Sequence, residues 1–291
     1  MTPANLWRAT RAYSLPASVV PVALGTVLAV RGYGLEAPAH FAPGRFLLTL
    51  LGAMLAHVGA NVLNDYFDFV RGVDTRPEHG SGVLTRRELT PGQALGFALA
   101  LLGGAALCAV PLFRTAPGVV GPLALVGLAC AVLYSAWLKQ FALGDLLIVI
   151  AFGFGLTLGA FGVQTGEILG TDLLWLALYS LPICLLVDAI LHANNLRDAP
   201  DDRVARVATL ATLLGQRWGW LWQYGLLFGP LALVVLGVAT RWLPVWSLAT
   251  FLALPLLLKA ARSGSVEGTA QTHLVFGALY TLSLLFPPLI R

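Results

Sequence analysis

An all-helical integral membrane protein is the fold class this sequence predicts, and three observations predict it. Of 291 residues, 58% are hydrophobic and only 11% charged, and mean hydropathy is +0.80. A soluble domain of that length needs far more charge to cover its surface. The apolar residues run continuously instead of alternating, which suits helices and not barrel strands. The runs also approach the ~20 residues a helix needs to cross the hydrocarbon core.

Nine such runs are expected, punctuated by Gly, Pro and charge. The first, Ser14 to Val30, is long and lacks a small-residue cleavage site, so it reads as a retained helix and not a signal peptide. The second, Phe46 to Leu63, and the sixth, Leu173 to His192, run straight into polar clusters. The third, Ala94 to Phe113, stops at Arg114, and the fourth, Val119 to Leu138, starts after Pro117. The fifth is Leu146 to Val163, following Gly144, and the seventh is Trp220 to Thr240. The eighth, Trp246 to Ala260, is the shortest, and the ninth is His273 to Leu289. Trp218, Trp220, Trp242 and Trp246 sit at span ends and read as an interfacial belt. The 31 glycines suit close packing of membrane helices. No polar linker divides the chain, so residues 1–291 form one membrane domain.

Charge sets the orientation. Of the 18 Lys and Arg, only Arg31, Arg45, Arg114, Arg241 and Arg291 fall on the side away from the N-terminus. The positive-inside rule then places the N-terminus in the cytoplasm and the C-terminus outside, in a multi-pass cell-membrane protein. Cys108, Cys130 and Cys184 are scattered inside spans with no metal-binding spacing, and read as small apolar residues. No nucleic-acid partner is expected.

Two clusters carry the chemistry. The second span ends in NVLNDYFDFVRGVDT, where Asn61, Asn64, Asp65 and Asp68 follow the i, i+3, i+4, i+7 rule and share one helix face; Asp74 follows Gly72. The sixth ends in DAILHANNLRDAPDD, where Asn194, Asp198 and Asp202 recur every four residues beside Asp201. Acids stacked on one face repel, and desolvation near a membrane raises the cost. Something positive should offset it. A donor set of oxygens without Cys or paired His favours Mg²⁺ over Zn²⁺. Mg²⁺ keeps water and phosphate ligands, which fits a diphosphate substrate. One acidic turn after a membrane helix is ordinarily a solvated cap; two on the same side, both led by Asn, are harder to read that way. Their places on spans two and six hint at two similar four-helix halves.

At these residues the chain resembles the UbiA superfamily of intramembrane prenyltransferases. NDYFD matches its first motif and NNLRDAPDD its second. RAYSLPASVVPVALGT, YSAWLKQFALGDLLI, GAFGVQTG and TAQTHLVFGALY resemble the branch that prenylates 1,4-dihydroxy-2-naphthoate on the way to menaquinone. Where that branch carries a Gly-Lys-Arg-Thr-Leu-Ala-like stretch, this chain has Arg206 to Ala211 without a Lys. The resemblance implies nine helices around a central cavity, Mg²⁺, a polyprenyl diphosphate and an aromatic acceptor, with membrane lipids around the tail. Asp65, Asp68, Asp198 and Asp202 would hold Mg²⁺ with Asn61, Asn64 and Asn194. Arg71, Lys139, Arg197 and Arg203 would stabilise the leaving diphosphate. Tyr66, Phe67 and Tyr134 are candidates to face an allylic cation, in a pocket that must exclude water.

Several residues keep two readings. Asp188, four before His192 inside the sixth span, orients or deprotonates the acceptor, or else bonds His192 in helix packing. His57 reads as structural. Asp145 is either a helix N-cap or part of the site rim. Arg11 is an interfacial anchor or a substrate contact. Other acceptors of the family (4-hydroxybenzoate, homogentisate, a tetrapyrrole or a lipid) remain alternatives. A secondary transporter would explain the intramembrane acids, but its sites belong near the midplane, not on one side.

Overall fold

The computed structural model describes residues 2–33, 39–73, 76–77, 80–130 and 142–286, and every regular element among them is helical. A short α1 (Pro3–Ala9) precedes α2 (Pro16–Arg31), α3 (Pro43–Val70), α4 (Pro91–Thr115) and α5 (Pro117–Ala129). Next comes one rod built of α6 (Gly144–Ile148), a π-helical stretch (Val149–Gly155) and α7 (Leu156–Thr165). It is followed by α8 (Gly170–Val204) and α9 (Leu210–Ala239). A 3₁₀ segment (Val245–Ala253) then leads into α10 (Leu254–Ser263), and α11 (Val266–Ser283) follows. Proline opens α1 to α5, where its missing N–H has no partner to lose. Thr90 and Thr209 cap α4 and α9 through their side chains.

The expected count of nine spans is not reproduced. Seven helices among the described residues are long and apolar enough to cross: Ala12–Arg31, Pro43–Val70, Pro91–Thr115, Gly144–Thr165, Gly170–Val204, Leu210–Ala239 and Val245–Ser263. The fourth expected span is represented by the shorter Pro117–Ala129, with its remainder outside the described residues. The ninth corresponds to α11, whose first turns carry Glu267, Thr269, Gln271, Thr272 and His273 and dilute its apolar character. The short eighth span does form, by starting in the 3₁₀ segment. The aromatic belt holds in part: Trp218 and Trp246 are exposed, but Trp242 packs on Tyr179, ring centroids 5.4 Å apart.

Packing around the two cluster-bearing helices is alike. The first helices of the two halves lie together, α2 against α7. There a side chain at Gly25 would strike the backbone carbonyl of Thr157. In each half the cluster-bearing helix packs on its successor, α3 on α4 and α8 on α9. Two cores result. One joins α2, α7, α8, α9 and α11 through Leu24, Phe161, Ile183, Leu227 and Tyr280; the other joins α3 and α4 to the connection between them through Val62, Leu63, Leu84 and Ala98. The space between the two is not filled. It forms a cavity of about 540 Å³ lined mainly by small apolar residues of α3, α4, α5 and α7 and by one face of α8. Val126 and Leu128, both exposed, are among the residues that line it.

Candidate active site

The two polar clusters lie at the C-terminal ends of α3 and α8, and the backbone ends both helices in the same way. In α3 the N–H of Val73 reaches the carbonyl of Asp68 (2.9 Å) and that of Gly72 reaches Phe69 (3.0 Å), with Gly72 left-handed at φ 71°. In α8 the N–H of Val207 reaches Asp202 (2.8 Å) and that of Arg206 reaches Arg203 (3.3 Å), with Arg206 left-handed at φ 55°. This is the Schellman closure. It places Asp68 and Asp202 at the same position, in the last helical turn, where the helix dipole is already negative. Acids at that end raise the local demand for a cation.

Within each cluster an Asn bonds the acid one turn on. Asn64 Nδ2 donates to Asp68 Oδ2 (2.8 Å), and Asn194 Nδ2 donates to Asp198 Oδ2 (3.0 Å). Asn64 Oδ1 is buried without a hydrogen-bond partner. Asp198 also takes a two-point contact from Arg197, Nε to Oδ1 at 2.7 Å and Nη2 to Oδ2 at 2.9 Å, while Arg197 reaches Asn194 Oδ1 at 2.9 Å.

The clusters meet. A polar pocket of about 40 Å³ is lined by Asn64 and Asp68 from α3 and by Asn194, Asn195, Asp198, Asp201 and Asp202 from α8, with Arg11, Val73 and Gly80 closing it. By the same measure a water needs about 10–15 Å³, so there is room for an ion with part of its hydration shell. Arg11, Asn64, Asn194 and Asn195 also line the apolar cavity, so the pocket and the cavity adjoin. Among the described residues no three acidic, His or Cys side chains come close enough to hold a metal by themselves.

Other expected residues lie elsewhere. Asp65 does not line the pocket. Its carboxylate takes the Arg11 guanidinium on one oxygen and the Ser81 N–H (3.0 Å) and hydroxyl on the other. Asn61 lines the apolar cavity. Arg71 lies exposed over the Phe67 ring at 5.2 Å, and Phe67 in turn meets Tyr66, so neither aromatic lines the cavity. Arg203 is exposed in the last turn of α8. Tyr134, Lys139 and Asp74 lie outside the described residues.

Asp188 and His192, for which a packing hydrogen bond is one of two readings, do not bond each other. His192 instead places Nδ1 3.1 Å from Asp145 Oδ1 and Nε2 3.1 Å from the Gly219 carbonyl. Asp145 therefore does not cap its helix; it ties α6 to α8. Asp188 is buried with Oδ1 unpartnered, and it is not among the residues lining the cavity, whereas Val187 and Leu191 are. Sequence reasoning missed Ser81 and Gly80, and gave Arg11 two readings. The αL backbone of Arg11 and the 54-residue separation from Asp65 leave no local signal for their pairing.

With this geometry in place, known proteins supply a comparison. The model of the UbiA prenyltransferase family matches residues 22–282. The chain is 31% identical over 293 residues to human UbiA prenyltransferase domain-containing protein 1, covering 96% of this chain and 83% of that protein. It is also 31% identical over 306 residues to the 1,4-dihydroxy-2-naphthoate octaprenyltransferase of Bacillus subtilis (strain 168), covering 96% and 92%. Its fold is that of the UbiA homologue of Aeropyrum pernix K1 (TM-score 0.69, 18% identity, 92% of this chain and 96% of that one). It also matches the Archaeoglobus fulgidus homologue solved with GPP and Mg²⁺ (TM-score 0.64, 14% identity, 96% and 98%).

Proposed function

We propose, since this chain belongs to the UbiA prenyltransferase family, that it moves a polyprenyl group from its diphosphate to an aromatic acceptor, with 1,4-dihydroxy-2-naphthoate the acceptor. The observation that carries this reading is the junction of one polar pocket, lined from both Asn/Asp clusters, with one apolar cavity. A prenyl diphosphate has that polarity. Its head belongs among the oxygen donors and guanidinium groups, and its tail belongs between the helices.

Mg²⁺ fits the residues present. The donors are all oxygens, Asn64, which lines that pocket, carries an orphaned buried Oδ1, and among the described residues too few acids converge to complete a shell without phosphate and water. Asn64, Asp68, Asn194, Asp198 and Asp202 would hold it, whereas Asp65, held by Arg11 and Ser81, and Asn61, in the apolar cavity, stand outside that set. Bound there, Mg²⁺ supplies charge neutralisation to a departing diphosphate.

The chain's own side chains do the rest. Arg11 and Arg197, now on Asp65 and Asp198, are within the site to take up diphosphate charge. The apolar walls keep water from the allylic cation left behind. The acceptor's ring carbon then forms the new C–C bond, and loss of the ring carboxylate as CO₂ restores aromaticity. The positive-inside count supports a cytoplasmic site and N-terminus in the cell membrane, with the C-terminus outside.

Product analysis tests the assignment. Purified protein with Mg²⁺, a series of prenyl diphosphates and 1,4-dihydroxy-2-naphthoate should yield a decarboxylated prenyl-naphthoquinol by mass spectrometry. Product only with 4-hydroxybenzoate, homogentisate, a tetrapyrrole or a lipid acceptor would overturn the acceptor and keep the chemistry. Absence of any prenylated product would overturn both.

A further inference from the structure

Where the apolar cavity meets the polar pocket, a line of hydrogen bonds runs from α2 to α3, and the direction of each bond can be worked out. The Ser14 hydroxyl donates to the Arg11 carbonyl at 2.9 Å. A carbonyl only accepts, so the single hydroxyl hydrogen of Ser14 is committed there. Two nitrogens also lie on Ser14 Oγ, Asn61 Nδ2 at 3.2 Å and His57 Nε2 at 3.2 Å. Both must donate. His57 thus carries its proton on Nε2, and its Nδ1 accepts from the Ser18 hydroxyl at 2.9 Å. Every partner is met by a neutral ring, with no charge to bury. The same reasoning fixes the Asn61 amide: its NH₂ end faces Ser14, which turns Oδ1 away from Ser14 as an acceptor for the cavity that Asn61, His57 and Ser14 all line.

The other end of the line is equally constrained. Arg11 sits in the left-handed region (φ 49°, ψ 49°), a strained conformation for a residue with a side chain. Its carbonyl is held twice by Ser14, through the hydroxyl and through the backbone N–H at 2.8 Å. That conformation is the one in which the Arg11 guanidinium meets Asp65 and closes the pocket. His57 itself is wedged edge-on to Phe152 of the π-helical stretch, ring centroids 4.7 Å apart.

We propose that His57 is a positioning residue that, through Ser14, orients Asn61 in the cavity and Arg11 in the diphosphate pocket together. This rests on the prenyltransferase reading for its kinetic consequence, but not for its hydrogen-bond consequence. The tests are His57→Leu, His57→Gln and Ser14→Ala in the full-length protein in detergent. The readouts are the Kd for an unreactive prenyl thiolodiphosphate with Mg²⁺, the kcat, the KM for the acceptor, and the ¹⁵N ring shifts of His57. His57→Leu should weaken analogue binding and kcat/KM by roughly 10–100-fold, as loss of an orienting partner does. Ser14→Ala should reproduce that loss. His57→Gln, whose amide offers one donor and one acceptor at similar reach, should recover most of it. The wild-type ring shifts should report the Nε2-protonated tautomer.

A His57→Leu protein that melts like the wild type and binds the analogue equally well would overturn the proposal. So would a Gln variant as impaired as the Leu variant, or an Nδ1-protonated ring. If His57→Leu does not fold, Ser14→Ala decides: wild-type binding there overturns the proposal as well. A wild-type protein that binds no prenyl diphosphate, yet shows the Nε2 tautomer lost in Ser14→Ala, would sink the substrate reading and leave the relay standing.

Discussion

Asn64 and Asn194 each give an amide hydrogen to the acid one turn on, and that repeated pair is the smallest unit of the site. It was legible in the sequence, because a four-residue spacing on a helix puts the two side chains on one face within reach of each other. Asp198→Ala or Asp68→Ala should lower turnover by at least ~100-fold, the scale of a lost electrostatic group in a site. An assay with saturating Mg²⁺, alongside a melting curve to show folding, checks this; full activity in either variant would remove that acid from the site. Partners far apart in the chain were not legible. His192 and Asp188 are four residues apart, yet His192 turns sideways to Asp145, whose carboxylate arrives from another helix. Asp65 likewise finds Arg11 and Ser81 and not its own helix neighbours. If the polar pocket takes the diphosphate head, Arg11→Ala should raise the KM for the prenyl diphosphate more than it changes the acceptor KM, because Arg11 lines that pocket; an effect confined to the acceptor would contradict that place.

At the scale of helices, existence and order were legible from apolar periodicity and proline, whereas endings and irregular turns were not. Nothing in Val149–Gly155 announces a π-helical stretch, which arises where the rod passes between α8 and the cavity. The closure of α8 is unusual because Arg206 takes the left-handed position that Gly72 takes in α3. Arg206→Gly should therefore stabilise the protein by about 1 kcal/mol, the relief of left-handed strain less the added chain entropy of glycine. Thermal unfolding in detergent measures it, and a lowered melting temperature would show that the Arg side chain contributes more than its backbone costs. Gly25→Val should do the opposite. It would drive a branched side chain into the Thr157 carbonyl and part α2 from α7, with loss of folded protein on size-exclusion chromatography.

For the whole molecule, the membrane class followed from composition, but the cavity could not be read, because it is what two separately packed cores leave unfilled. Of the nine expected spans, the fourth runs partly outside the described residues and the ninth is diluted by the polar first turns of α11. If the cavity holds the prenyl tail, Ala105→Phe in its wall should shift the product distribution toward shorter chains, measured by competition among prenyl diphosphates of different length. An unchanged distribution would mean that the tail leaves by another side. The matched closures of α3 and α8 have a last consequence. From the left-handed residue to the next capping threonine, one connection runs from Gly72 to Thr90 and the other only from Arg206 to Thr209, yet each hands its final aspartate to the centre in the same pose. The helix ends are thus set by their own closures, and of the two connections the longer one also reaches back, with Gly80 in the pocket wall and Ser81 on Asp65. A lineage could lengthen or trim the rest of those segments while the two aspartates kept their place in the last turn of each helix.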